Sequence, residues 1–361
     1  MATRRLRPLL WLLLVAAVVA VASWGLYAVS RPAPGSAPAG DQFDVGVLFV
    51  TNRGHDPTAR PAARFDGSRG ELRFGRCDVR FSPIPMANDL AARAPFFVPT
   101  DIRDVVDVTL LTPDDFGAAI GRADAGPEAL PIVLYVHGYS YGFARTCRMG
   151  AELQRMLDDR ARVVMFSWPS DANPADYVAD QVDVEWSVPD LAGVIASLRQ
   201  RFGTAQVRVL AHSLGSRGTL FALQRMAATG EDLPLIDHLV LLAPDFDAGT
   251  FSRNIEDIRP LADKMTLYAS ENDAPLVVSA TLHGHPRLGQ AGETLLVLPG
   301  MTTIDVTDLG RYHPSGHEYF YYHPVVAADL SALLTTAPAP ADRPNTAERR
   351  QGDQVYWILE K

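Results

Sequence analysis

The chain has 361 residues, of which 47% are hydrophobic and 21% charged, with 27 Gly and 27 Pro. These values fit one large folded domain with appendages, or two small ones, and exclude a disordered, collagen-like or disulfide-scaffold protein. The net charge is −9; the first 31 residues hold four bases (Arg4, Arg5, Arg7, Arg31) and no acid, so the rest carries 29 bases against 42 acids, or −13. A body that acidic repels phosphate backbones, and no nucleic-acid partner is expected.

From Leu9 to Val29 the chain runs for 21 residues without a charge, long enough to span a bilayer as a helix. A cleaved signal peptide has a shorter apolar core and a small-residue cut site, and the best candidate here, Ala37-Pro38-Ala39, lies well beyond the run. Residues 1–30 are therefore predicted to be an uncleaved transmembrane anchor, with secretion after cleavage as the alternative. Arg4, Arg5 and Arg7 ahead of the span put the N-terminus in the cytoplasm and the body on the periplasmic or extracytoplasmic side. Residues 31–42, rich in Pro, Ala and Gly, are a linker.

The body, expected over 43–334, opens with a strand at Val45–Val50, followed by a Gly-, Arg- and Asp-rich surface excursion over 54–70 and strand-like stretches near 71–81 and 105–111. From residue 130 short apolar runs alternate with amphipathic segments. Strands are predicted at 132–136, 162–168, 207–211, 238–242, 264–268 and 294–298; helices at 144–158, 176–201, 214–228, 274–282 and 319–334. Apolar strands alternating with helices predict an α/β fold with a mostly parallel sheet flanked by helices. Residues 335–361 read as a tail, mobile over 335–347, with Val355–Leu359 free to dock back.

Ala211-His212-Ser213-Leu214-Gly215 closes one apolar run and opens a helix. It is the G-x-S-x-G elbow with Ala in the first Gly position, which needs small residues on either side because the serine sits in a strained conformation. Ser213 is the candidate nucleophile; the bland alternative is a helix N-cap. His137-Gly138-Tyr139 ends the strand two units earlier, where an oxyanion-binding backbone N–H belongs, so Tyr139 and Leu214 are the candidate oxyanion donors. His137 itself is read as a loop-orienting side chain. In the chain order that accompanies this elbow motif, Ser then acid then His, the acid follows Ser213 at a strand end: Asp273 is chosen, with Asp245 and Asp247 as rivals. The base comes later still, at His317, with His313 as competitor.

Pro314 and Gly316 between those two histidines disfavour a helical metal pair. No P-loop, Rossmann or H-E-x-x-H pattern occurs, so no cofactor and no metal are expected. Cys77 and Cys147 lie in no ligand motif and are packing residues or one optional disulfide.

With these residues in place the chain resembles the alpha/beta-hydrolase superfamily, and within it a mostly bacterial group of alpha/beta hydrolases of unknown function. The resemblance runs from about Val47 to Phe320. It is carried by Val50-Thr51-Asn52-Arg53, His137-Gly138-Tyr139, Phe166-Ser167-Trp168-Pro169-Ser170, Ala211-His212-Ser213-Leu214-Gly215-Ser216-Arg217, Ala243-Pro244-Asp245-Phe246-Asp247, Tyr268-Ala269-Ser270-Glu271-Asn272-Asp273 and His317-Glu318-Tyr319-Phe320. It implies a lipase- or esterase-like serine hydrolase and supplies no substrate, and the membrane span and the C-terminal tail lie outside it. With the anchor read above, the expectation is a membrane-anchored hydrolase of small or lipid-like acyl esters. An amidase or peptidase, and a non-catalytic binding module on the same fold, are the other readings. Oligomeric state is left open.

Overall fold

The computed structural model describes residues 42–361 except 86, 92, 95 and 122–129. The expected anchor over 1–30 and all but the last residue of the linker therefore lie outside the described residues. Among the described residues no helix is long and apolar enough to cross a membrane.

Eleven strands form one sheet: β1 (Phe43–His55), β2 (Phe65–Pro83), β3 (Asp101–Leu111), β4 (Ile132–Val136), β5 (Arg162–Ser167), β6 (Val207–His212), β7 (Ile236–Leu242), β8 (Ala262–Ala269), β9 (Thr302–Asp305), β10 (Thr346–Gln351) and β11 (Gln354–Leu359), in the order β10-β11-β9-β8-β7-β6-β4-β5-β1-β2-β3. The central pairings are parallel, and antiparallel pairs close both edges, β1–β2–β3 on one side and β10–β11 on the other. Every residue of β4, β6 and β7 is buried. This is why those strands read as largely apolar runs, broken in β6 and β7 by the paired Arg208 and Asp237 near their starts: helices cover both of their faces.

The helices are α1 (Ala87–Ala91), α2 (Pro113–Ile120), α3 (Phe143–Met156), α4 (Tyr177–Trp186), α5 (Val188–Phe202), α6 (Leu214–Ala228), α7 (Ala248–Arg253), α8 (Ile255–Ile258), α9 (Ala274–His283), α10 (Tyr319–Tyr322) and α11 (Pro324–Thr335). Alternate strand residues feed two cores. Leu134, Val209 and Leu241 pack with α5 and α6 on one face, and Val133, Leu210 and Val240 with α3 and α11 on the other.

Four expectations change. The helix predicted over 176–201 breaks at Ser187, because Pro189 has no N–H to continue the ladder of α4. The one over 319–334 breaks at His323, whose ring accepts from the Val325 N–H (3.3 Å) to cap α11 ahead of Pro324. The run at 294–298 forms no strand: Leu296 and Leu298 pack their side chains into the core, Pro299-Gly300 turns the chain, and the pairing falls to Thr302–Asp305. Residues 335–347 are not loose chain either, while Val355–Leu359 docks back as expected, within β11. Arg343 is buried against Asp329 of α11 at 3.0 Å, and β11 extends the sheet beside β9.

Cys77 of β2 and Cys147 of α3 are disulfide-bonded, with Cα atoms 6.2 Å apart.

Candidate active site

Ser213 joins β6 to α6 at φ 52° and ψ −124°, a region that costs a non-glycine residue about 1–3 kcal/mol. The surroundings hold it there: its N–H donates to the Leu242 carbonyl (3.0 Å) and its carbonyl accepts from the Asp245 N–H (3.1 Å). A Cβ on Gly215 would run into the carbonyls of Val136 and His137, so α6 starts hard against the end of β4. Ala211 occupies its position fully buried.

Asp273 ends the loop after β8 and caps α9, where one carboxylate oxygen accepts from the Leu276 N–H (3.0 Å) and Pro275 opens the helix. The other oxygen accepts from His317 Nδ1 at 2.7 Å. The two loops are locked together, since the Ala274 N–H donates to the Ser315 carbonyl (3.1 Å). Gly316, at φ 66°, sits where a Cβ would strike the Asn272 carbonyl. Burial alone would lower the His317 pKa, but the charge and hydrogen bond of Asp273 outweigh it and carry the imidazole above its ordinary value. His212, the neighbour of Ser213, faces His317 with ring centroids 4.7 Å apart.

The rivals have other partners. Asp245 accepts from Arg287 Nε (2.7 Å), Ser279 Oγ (2.6 Å) and Tyr177 Oη (2.5 Å). Asp247 caps α7 through the Thr250 N–H (2.6 Å). His313 shares a hydrogen bond with Ser315 Oγ (3.0 Å) and stacks on Tyr322.

The loop 137–142 comes down beside Ser213: a Cβ on Gly138 would lie 2.9 Å from both the Ser213 Cβ and His212 Nδ1. Only glycine lets the backbone approach the serine this closely. Ser140 N–H donates to Asp180 Oδ2 (2.9 Å) and Tyr141 N–H to Ser170 Oγ (3.0 Å). Among the described residues the N–H groups of Tyr139 and Leu214 have no hydrogen-bond partner.

Residues 126–336 match the model of a family described as alpha/beta hydrolase of unknown function (DUF900). The chain belongs to this family. Over 105 residues it is 28% identical to the uncharacterized protein alr1448 of Nostoc sp., a match covering 23% of this chain and 27% of that one, so the chain spans about a quarter of that relative. Among solved structures it is similar to lipase B of Aspergillus fumigatus (17% identity, TM-score 0.38, covering 62% of this chain and 57% of that one). It is also similar to an esterase of the archaeon Pyrobaculum calidifontis (11% identity, TM-score 0.33, covering 83% and 87%). Likenesses of this size carry nothing about substrate.

In this DUF900 alpha/beta hydrolase several buried charges at the site were not singled out from sequence. Glu318, next to His317, accepts from Tyr141 Oη and from Arg145 Nη2 (2.5 Å), and the Arg145 guanidinium lies 4.0 Å over the Tyr141 ring. Burial would raise the Glu318 carboxyl, but Arg145 holds it below the usual range. Arg53, fully buried at the end of β1, reaches across β5 to the loop at Tyr141. Burial lowers its guanidinium to about 9, which leaves it charged near neutral pH. Arg53 stood in the Val50-Thr51-Asn52-Arg53 run and Glu318 in the His317-Glu318-Tyr319-Phe320 run, both without a role.

Proposed function

We propose that this alpha/beta hydrolase is a membrane-anchored serine esterase using Ser213, His317 and Asp273. The observation that carries the reading is the His317–Asp273 hydrogen bond at 2.7 Å, made at the same sheet edge as a serine held at positive φ. In this mechanism Ser213 Oγ attacks the ester carbonyl while its proton passes to His317 Nε2. Asp273 holds the proton on Nδ1 and stabilises the imidazolium. The N–H groups of Tyr139 and Leu214 stabilise the oxyanion. Collapse breaks the acyl C–O bond and the alkoxide leaves with the proton from His317. Water, deprotonated by the same imidazole, then releases the acid and frees Ser213.

The body is placed outside the cytoplasm, held by residues 1–30. The Cys77–Cys147 disulfide supports this, because such bonds persist in oxidising compartments.

The test is labelling by a fluorophosphonate together with turnover of short p-nitrophenyl esters. Wild type is expected to do both. Ser213→Ala is expected to remain folded, take up no label and lose at least about 10³-fold in kcat. Label uptake undiminished in Ser213→Ala would remove the assignment.

A further inference from the structure

The loop beside Ser213 is held by a relay that starts far from it, on β1. Arg53 is fully buried and uses all five of its N–H directions: Nε to Ser167 Oγ (2.9 Å), Nη1 to the carbonyls of Ser170 (2.8 Å) and Asp66 (3.2 Å), Nη2 to the Tyr141 carbonyl (2.6 Å) and to His137 Nε2 (3.4 Å). A guanidinium donates and never accepts, so the nitrogen of His137 facing it has to be the bare one. The ring proton then sits on Nδ1, which lies 2.7 Å from the Gly138 carbonyl and donates to it. Burial and the adjacent Arg53 charge both keep this imidazole neutral.

The Gly138 carbonyl and the Tyr139 N–H belong to one planar trans peptide and point in opposite directions. Fixing the carbonyl therefore fixes where the N–H points. The preceding peptide is held as well, since Trp168 Nε1 donates to the His137 carbonyl (2.8 Å), and the His137 ring is sandwiched between Trp168 and Tyr141 at 4.8 and 5.6 Å.

We propose that Arg53 and His137 form a peptide-plane lock, a pair of positioning residues that set the His137 tautomer and through it aim the Tyr139 N–H at the oxyanion. The proposal rests on the serine-hydrolase reading and adds residues that do not touch the reacting atoms. An oxyanion donor acts only if it is aligned before charge develops, so a loosened peptide lowers kcat and leaves substrate binding alone.

The experiment uses the full chain. A ¹⁵N-histidine long-range correlation spectrum reads the tautomer of His137 directly and needs no activity; Nδ1–H is expected. His137→Phe keeps the ring stack and deletes both nitrogens. It is expected to lower kcat about 10²-fold, near the smaller loss seen when an oxyanion donor is removed, with KM within about threefold. His137→Asn, whose amide N–H falls close to the place of Nδ1, is expected to recover most of that loss. Arg53→Met acts through the same peptide, so the double variant His137→Phe/Arg53→Met is expected to lose little more than His137→Phe alone.

An Nε2–H tautomer in wild type overturns the lock. So does a folded His137→Phe with undiminished kcat, a loss carried by KM, or a His137→Asn no better than His137→Phe. If His137→Phe fails to fold, the wild-type tautomer and His137→Asn decide. A wild type that neither labels nor turns over esters removes the hydrolase reading, and the tautomer spectrum still decides the lock separately.

Discussion

Two buried aspartates at this site do different work, and one substitution in each separates them. Asp273 holds the imidazole; Asp245 compensates Arg287, with side chains 4% and 2% exposed. Asp273→Asn is expected to cut kcat by about 10⁴ with little change in KM, since the amide favours the wrong tautomer. Asp245→Asn leaves the Arg287 charge buried without its counter-charge and is expected to lower unfolding stability by about 3–5 kcal/mol, with kcat of the folded fraction near normal. Denaturant melts and kcat on the same samples check both; the reverse pattern would exchange their roles. The raised pKa of His317 has a further consequence with a definite sign. The base must be neutral, so kcat/KM is expected to fall on the acid side with a midpoint above the ordinary histidine value of about 6.5. In the residual activity of Asp273→Asn that midpoint should move down, because the charge that raised it is gone. A pH–rate profile of the two proteins reads the shift.

At the scale of elements, the least anticipated contact is the one that fastens the last helix to the C-terminal hairpin. Arg343 and Asp329 are both fully buried and joined at 3.0 Å, with Tyr268 Oη donating to the same carboxylate oxygen (2.5 Å). Arg343→Ala strands that carboxylate in the core and is expected to lower stability by about 3–5 kcal/mol; Arg343→Met with Asp329→Leu should restore much of it. Chemical denaturation of the two variants is the measurement, and an unaffected Arg343→Ala would mean the hairpin is held by β11 alone. The sequence hid this pair because Arg343 lies in a Pro- and Ala-rich stretch whose composition reads as loose chain. Strands buried on both faces were legible at β4 to β8 because short, largely apolar runs alternating with amphipathic segments fit a parallel sheet covered by helices. Thr302–Asp305 was not, since its pairing is made by backbone, while the more apolar 294–298 serves as packing. The helix breaks at Ser187 and His323 were visible as Pro189 and Pro324, but a proline in the first turn of a helix only says where one starts once the preceding helix is known to end.

For the molecule as a whole, the elbow motif, chain order and strand ends made Ser213, Asp273 and His317 the candidates, and the parallel pairing of β6, β7 and β8 puts the C-terminal ends of β6 and β8 on one side of the sheet. What could not be read is the support behind them. Arg53 and Glu318 act over sequence separations of 84 to His137 and 177 to Tyr141, and only the folded sheet makes those neighbours.

Strand β1 gives the molecule a polarity. It enters at Phe43 and runs parallel to β5 until Thr51 lies opposite Ser167, beside the loop that carries Tyr139. Eight residues of extended chain at about 3.3 Å each separate the two points by about 26 Å. Phe43 therefore lies at one pole of the sheet, and the loop beside Ser213 at the other. Like a moored buoy, a body fastened to a surface by residue 42 turns its mouth away from the mooring. In the proposed anchored esterase, esters dissolved or dispersed in the surrounding water would meet Ser213 head-on, whereas those lying in the plane of the mooring surface would have to leave it first.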